Sequence, residues 1–199
     1  MSPTTDEIVL LAARWIHHGM RLDTRALAAE LGISRTTLFR RVGNREDLMG
    51  DALWLLSDLT LRDAMTHWKK AEGPAVRNAA GQLRCLAVMR EYRTAIATDR
   101  GFHQLLDYEP TVAIRVLTDP AGRVQPKVVA ALVDLLAADV AEGAFVPVVG
   151  LDSLSFALVR LGEAFLYSDV LANRAPDLEA ASTLIAALVE GHVRAREPA

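Results

Sequence analysis

The chain has 199 residues, 51% of them hydrophobic and 24% charged, with a formal net charge of -3 and a mean hydropathy of +0.18. That hydrophobic share excludes a disordered chain, and the acidic balance excludes indiscriminate coating of nucleic acid, which takes a large positive charge. A single cysteine, Cys85, allows no internal disulfide and no cysteine-rich metal site, and its setting LRCLAVM reads as a packed thiol.

Apolar residues recur at spacings of three and four and no extended run alternates with period two, so the chain is expected to be all-α. Asp or Arg interrupts every long apolar run, which argues against a membrane span. The N-terminus opens on acids rather than on a basic segment, and Arg14 breaks its apolar stretch, so a cytoplasmic location is expected.

The first helix has Thr4 and Glu7 at capping-box spacing and places Ile8, Leu11, Ala12, Trp15 and Ile16 on one face before Gly19 ends it. Asp23 or Thr24 can cap a short second helix, and Gly32 supplies a turn. Ser34 caps a third helix to about Val42, in which Leu38 and Val42 share an inward sector. Thr36, Thr37 and Arg40 lie opposite, flanked by Phe39 and Arg41. Asn44 and Asp47 can cap a fourth, long helix that reaches about Lys70 and closes at Gly73-Pro74. Further helices are expected over about 75–98, 101–108, 111–117, 126–142, 152–172 and 177–196, separated by the turn-rich TDPAGRVQP and GAFVPVVG.

The stretch LGISRTTLFRRVGNREDL concentrates Arg35, Arg40, Arg41 and Arg45 with no acid until Glu46, in a chain that is acidic as a whole. Two short helices joined by a glycine-containing turn, the second presenting small polar and basic side chains, suit the major groove of DNA. Arg can read a guanine edge, threonine and ring carbons can pack on thymine methyls, and further arginines can neutralise phosphate. Spacing alone leaves a helical hairpin with a solvated basic face equally open.

The residues TRALAAELGISRTTLFRRVGNREDL resemble the DNA-binding segment of the tetracycline-repressor (TetR) family, whose usual form is close to T.R.IA..AGVS.GTLY.HF.SKE.L. Gly32, Ser34, Thr37, Leu38, Gly43, Glu46 and Leu48 carry the match. The resemblance implies an N-terminal three-helix domain with a helix-turn-helix, residues 1–48, and a helical ligand-binding and dimerisation domain, residues 49–199, connected by the helix at about 46–70. By the same resemblance Arg25, Arg35, Thr36, Thr37 and Phe39 stand at base-contacting positions, and Thr24, Arg41 and Arg45 at phosphate-contacting ones; Arg40 faces outward and serves either role. Phe39 replaces the usual Tyr, and Asp23 stands where a hydroxyl residue is frequent.

The later stretches LDYEPTVAIRVLTDPAGRVQPKVVAALVDLL and ALVRLGEAFLYSDVLA look like the subgroup that includes regulators of quorum-sensing-signal (lactone) degradation. A family regulator implies a palindromic double-stranded operator, a homodimer, a small-molecule inducer and no cofactor. The seam between copies is expected on the last two helices, where Ala157, Gly162, Ala164, Ala180, Ala181, Ala186, Ala187 and Gly191 permit close packing. Ligand candidates are Tyr92, Phe102, His103, Tyr108, Arg115, Arg160, Glu163 and Tyr167, polar or aromatic groups in apolar surroundings. Arg160 and Glu163 either pair with each other, line a polar pocket or face solvent.

No HExxH pattern, nucleophile elbow or phosphate-binding glycine loop occurs, so an enzyme is not expected. The remaining alternative is a helical protein-interaction module with a vestigial DNA reader.

Overall fold

A computed structural model describes residues 2–171 and 176–191. The helices are α1 (Thr5–His17), α2 (Thr24–Glu30), α3 (Arg35–Val42), α4 (Arg45–Glu72), α5 (Arg84–Thr98), α6 (Arg100–Tyr108), α7 (Pro110–Thr118), α8 (Gln125–Ala141), α9 (Leu151–Leu171) and α10 (Leu178–Glu190). Among the described residues there is no strand, only an isolated bridge between Arg77 and Leu83. The ends expected for the last two helices, at Ala172 and Arg196, lie outside the described residues.

Local chemistry sets the helix starts. Thr4 and Glu7 form a reciprocal capping box on α1, and Asn44 and Asp47 form another on α4. Ser34 accepts from the Thr37 amide at 3.1 Å to start α3. Of the two caps open for α2, Asp23 takes the position, accepting from the Arg25 and Ala26 amides at 2.7 and 3.2 Å. Those caps hold the four helices whose register decides which side chains α3 presents. Replacing Asn44 with Ala is expected to lower unfolding free energy by about 1 kcal/mol, because it strands an amide at the α4 N-terminus; urea unfolding measures it.

One expected helix is shorter than its periodicity suggested. The helix predicted from Ala75 begins only at Arg84, because residues 75–83 make a compact loop instead. Asn78 accepts from the Ala80 and Gln82 amides, and Gly81 adopts φ 78°, so side-chain bonds replace the helical ladder.

The buried side chains form two clusters. The first joins Ile8, Ala12, Leu27, Leu38, Val42, Leu48 and Met49 to Phe102, Leu105, Ala113 and Leu117, so α6 and α7 are part of the floor on which the helix-turn-helix rests. The second joins Trp68, Cys85, Val88, Leu136, Leu158, Ile185 and Val189. Burial pushes the Cys85 thiol far up, as suits a packed residue rather than a reactive one. The long helix α4, roughly 40 Å by its rise per residue, contributes to both clusters and links them.

Candidate DNA-reading face and ligand cavity

Leu38 and Val42, 0% and 2% exposed, fasten α3 to the core, and their burial turns the rest of the helix outward. Arg35, Thr36 and Arg40 are exposed, while Thr37, Phe39 and Arg41 are half-buried. The Arg35 guanidinium lies 5.6 Å from the Phe39 ring centroid, so the two side chains are ordered together on the presented face. Thr37 Oγ1 is 2.9 Å from Ser34 Oγ, and Arg41 donates to Ser2 Oγ at 2.9 Å, which ties the chain start to α3.

On α2, Arg25 is exposed and Thr24 is buried at 8% exposure. The amide hydrogens of Ala26 and Arg25 hold the Asp23 carboxyl below the usual aspartate range. Its charge is absorbed by the helix end, which answers the departure noted in the sequence.

Arg45 stands differently from its expected role. Its Nε donates to the Leu22 carbonyl at 2.9 Å and its fork grips both carboxylate oxygens of Glu109, with Nη1 at 2.7 Å. A guanidinium held by a carboxylate that is 9% exposed is a strut between α4 and the α6–α7 junction, and no longer an open phosphate donor. Sequence spacing could not show this, since Glu109 lies 64 residues away. The strut has neighbours: Arg115 pairs with Glu46, and Arg123 pairs with Asp47 at 3.1 Å and with Asp51.

Between α1, α4, α5, α8 and α9 lies a cavity of about 510 Å³, walled by Leu53, Leu56, Met89, Ile96, Leu132, Leu158 and Leu166 among others. Tyr92, Phe102, Glu163 and Tyr167 line it, and so do Ser57, Arg93 and Gln125, which sequence reading missed. Ser57 hydrogen-bonds the Tyr92 hydroxyl. Burial pushes both tyrosine hydroxyls up, so they stay neutral, and burial also raises Glu163 against the opposing pull of Arg160. Arg93, 7% exposed, donates to Ser182 at 3.0 Å, and burial lowers its pKa to about 10.

The other ligand candidates lie outside this lining. Tyr108 is 56% exposed because it ends α6 at the surface. His103 turns its Nε2 to the Ala97 carbonyl at 2.7 Å, and Arg115 is drawn outward to Glu46. Arg160 resolves its three alternatives as a structural pair: it donates to Glu163 at 2.8 Å and to the Thr118 carbonyl at 3.1 Å, and its head lies over the exposed Phe156. No cluster of potential metal ligands occurs among the described residues.

Of the small residues expected at a seam between copies, Ala181 is fully buried within the chain and Gly162 packs against the Arg93 side chain. Ala157, Ala164 and Gly191 are exposed, and so are the apolar Phe156, Leu184 and Leu188 of α9 and α10, at 44%, 46% and 41%.

Residues 80–190 match the family described as tetracyclin repressor-like, C-terminal domain. Among solved structures, the transcriptional repressor QsdR from R. erythropolis, of the TetR family, superposes with a TM-score of 0.81 and 26% sequence identity over 93% of each chain. A search of curated proteins by sequence gave no match. With the family's C-terminal domain matched over more than half of the chain and a helix-turn-helix head on the first helices, the chain belongs to the TetR family of DNA-binding transcriptional regulators, not to a class of enzymes.

Proposed function

We propose that the protein is a ligand-responsive repressor. A cytoplasmic homodimer places its two α3 helices in successive major grooves of a palindromic operator, and leaves that operator when a small, largely apolar molecule of the lactone class fills the cavity. The observation that carries this reading is the connection, through α4 and its ionic struts, of an exposed α3 face to an apolar cavity of about 510 Å³. Residues 1–48 serve as the reader and 49–199 as the regulatory and dimerising part. The likeness to QsdR, a repressor, supports repression over activation. No described helix is long and apolar enough to cross a membrane, in keeping with a protein that meets DNA.

Arg25, Arg35, Thr36, Thr37 and Phe39 are assigned to bases, Arg41 and Thr24 to phosphate, and Arg40 to either. Arg45 acts through the strut to Glu109. In the cavity, Tyr92, Phe102, Glu163 and Tyr167 contact the ligand. The exposed Phe156, Leu184 and Leu188 form the seam in which α9 and α10 of two copies meet as a four-helix bundle.

Operator selection from random DNA tests the first half of the proposal: a palindrome with half-sites about 34–36 Å apart, or a multiple, is expected. On the selected site, Arg41→Ala weakens binding evenly across sequences and flattens the salt slope by about one unit, whereas Arg35→Ala costs about 1–3 kcal/mol at particular base pairs and relaxes preference there. Uniform weakening by Arg35→Ala in competition assays sinks the base-reading assignment.

A further inference from the structure

The first turn of α8 borders the cavity with a side-chain hydrogen-bond donor that the chain leaves unused. Val124, the N-cap, is 3% exposed and no side chain caps the helix; Gln125, the next residue, is 2% exposed. Both line the cavity. The Gln125 Nε2 is buried and meets no acceptor. A buried amide donor without a partner is costly, and native interiors seldom keep one unless a water or a ligand completes it. The uncapped end of a long helix adds a positive dipole at the same place.

We propose that Gln125 is the specificity-determining residue of the cavity: its side chain, packed in the wall when no ligand is present, turns inward so that Nε2 donates to the carbonyl oxygen of an uncharged ligand whose apolar tail fills the rest. This rests on the ligand-binding role proposed above and names the group that the ligand must carry. A carbonyl oxygen accepts a hydrogen bond and carries partial negative charge, so it suits both the amide and the helix end. A full carboxylate would face both Glu163, 12% exposed and already paired with Arg160, and the Arg93 guanidinium, whose Nε is unpartnered, so the probes below set it against the uncharged carbonyl.

The position also explains how occupancy reaches the reader. Arg123 stands two residues before Gln125 and holds Asp47 and Asp51 of α4, with Lys127 adding to Asp51 at 3.7 Å. A Cβ on Gly50 of α4 would lie 3.1 Å from the Arg123 Cβ, so the two backbones run close. A ligand oxygen that draws on the first turn of α8 therefore acts on the segment that clasps α4.

Calorimetry with the full chain decides the matter, using probes on one carbon skeleton: γ-decalactone, the matched ether 2-hexyltetrahydrofuran, and the ring-opened 4-hydroxydecanoate. Gln125→Met keeps the side-chain volume and removes the amide. It is expected to weaken γ-decalactone about tenfold, equivalent to about 1.4 kcal/mol, and to leave the ether unchanged. The ligand-free Gln125→Met protein melts no lower than the wild type, since no internal bond is lost. Equal effects on lactone and ether, or a lower melting temperature without ligand, overturn the assignment while ligand binding stands. Tighter binding of 4-hydroxydecanoate that Arg93→Met abolishes overturns it in favour of an anionic ligand. If the wild type binds none of the probes, the lactone reading of the cavity falls and the carbonyl assignment falls with it.

Discussion

Asp139→Ala is expected to remove about 3–5 kcal/mol of stability, the range for breaking a buried ion pair from one side. Asp139 lies on α8 with 0% exposure. One carboxylate oxygen takes the Arg84 guanidinium at 2.7 Å, and the other accepts from the Cys85 backbone amide at 2.8 Å. It is thus the N-terminal cap of α5, supplied from another helix, because Leu83 at the cap position offers no side-chain oxygen. Without it, a buried amide and a largely buried guanidinium lose their acceptor. Arg84 is 14% exposed and recovers some hydration, which places the expected loss toward the lower end of the range. Asp139→Asn keeps an acceptor for the amide and loses the charge, so it falls between. Urea titrations should show the midpoint falling with an unchanged slope; an Ala variant within 1 kcal/mol of the wild type contradicts the cap-and-pair account. A typical domain has only about 5–15 kcal/mol to lose, so this one side chain is a large part of what keeps α5 and α8 together as cavity walls.

Asp139 also marks the limit of sequence reading. The reader was legible because its determinants are local: Thr4 with Glu7, Ser34 with Thr37 and Asn44 with Asp47 lie within one turn of each other, and Leu38 and Val42 share a face through periodicity alone. The cavity was half legible. Tyr92, Phe102, Glu163 and Tyr167 advertise themselves as polar or aromatic groups in apolar surroundings, and they line it. Gln125 and Arg93 sit beside proline or among other charges, where nothing local marks burial, and only packing buries them. Asp139 pairs with Arg84 55 residues away, and Arg45 with Glu109 64 residues away. Periodicity carries no information over such separations. The loop at 75–83 is a different case, since Asn78 and Gly81 are local turn residues overridden by an apparent apolar rhythm.

Gly101→Ala should damage the contact through which the regulatory part holds the reader. Gly101 lies in the first turn of α6, and a Cβ built there would stand 2.3 Å from the Ile16 carbonyl oxygen and 2.4 Å from that of His17. These are backbone atoms at the C-terminal end of α1, so no side chain can swing aside. The close approach joins the carbonyl end of one helix to the amide end of another, an attractive arrangement of dipoles. It is fixed further by Asp99, which caps α6 through the Phe102 amide at 2.7 Å and lies 3.3 Å from His17 Nδ1. An added methyl must separate α1 from α6 by about 1 Å to reach ordinary contact, and overpacking of this kind typically costs about 1–3 kcal/mol. The better helix propensity of Ala offsets about 1 kcal/mol of that, so the net destabilisation is modest, about 0–2 kcal/mol, and the protein stays folded. The larger effect is on the operator. Half-sites are read at a fixed spacing, so a head reseated on α6 loses specific binding while its low-salt, nonspecific binding, which depends on the unchanged arginines of α3, persists. Mobility shifts on selected and random DNA separate the two. Wild-type specific affinity in the Ala variant means that α6 does not set the head's position. Phe102, the next residue, lines the cavity, and Glu109, at the far end of the same helix, holds Arg45. A ligand that presses on Phe102 therefore pushes a helix that touches the reader at both ends, and Gly101 is the point where the tolerance is smallest.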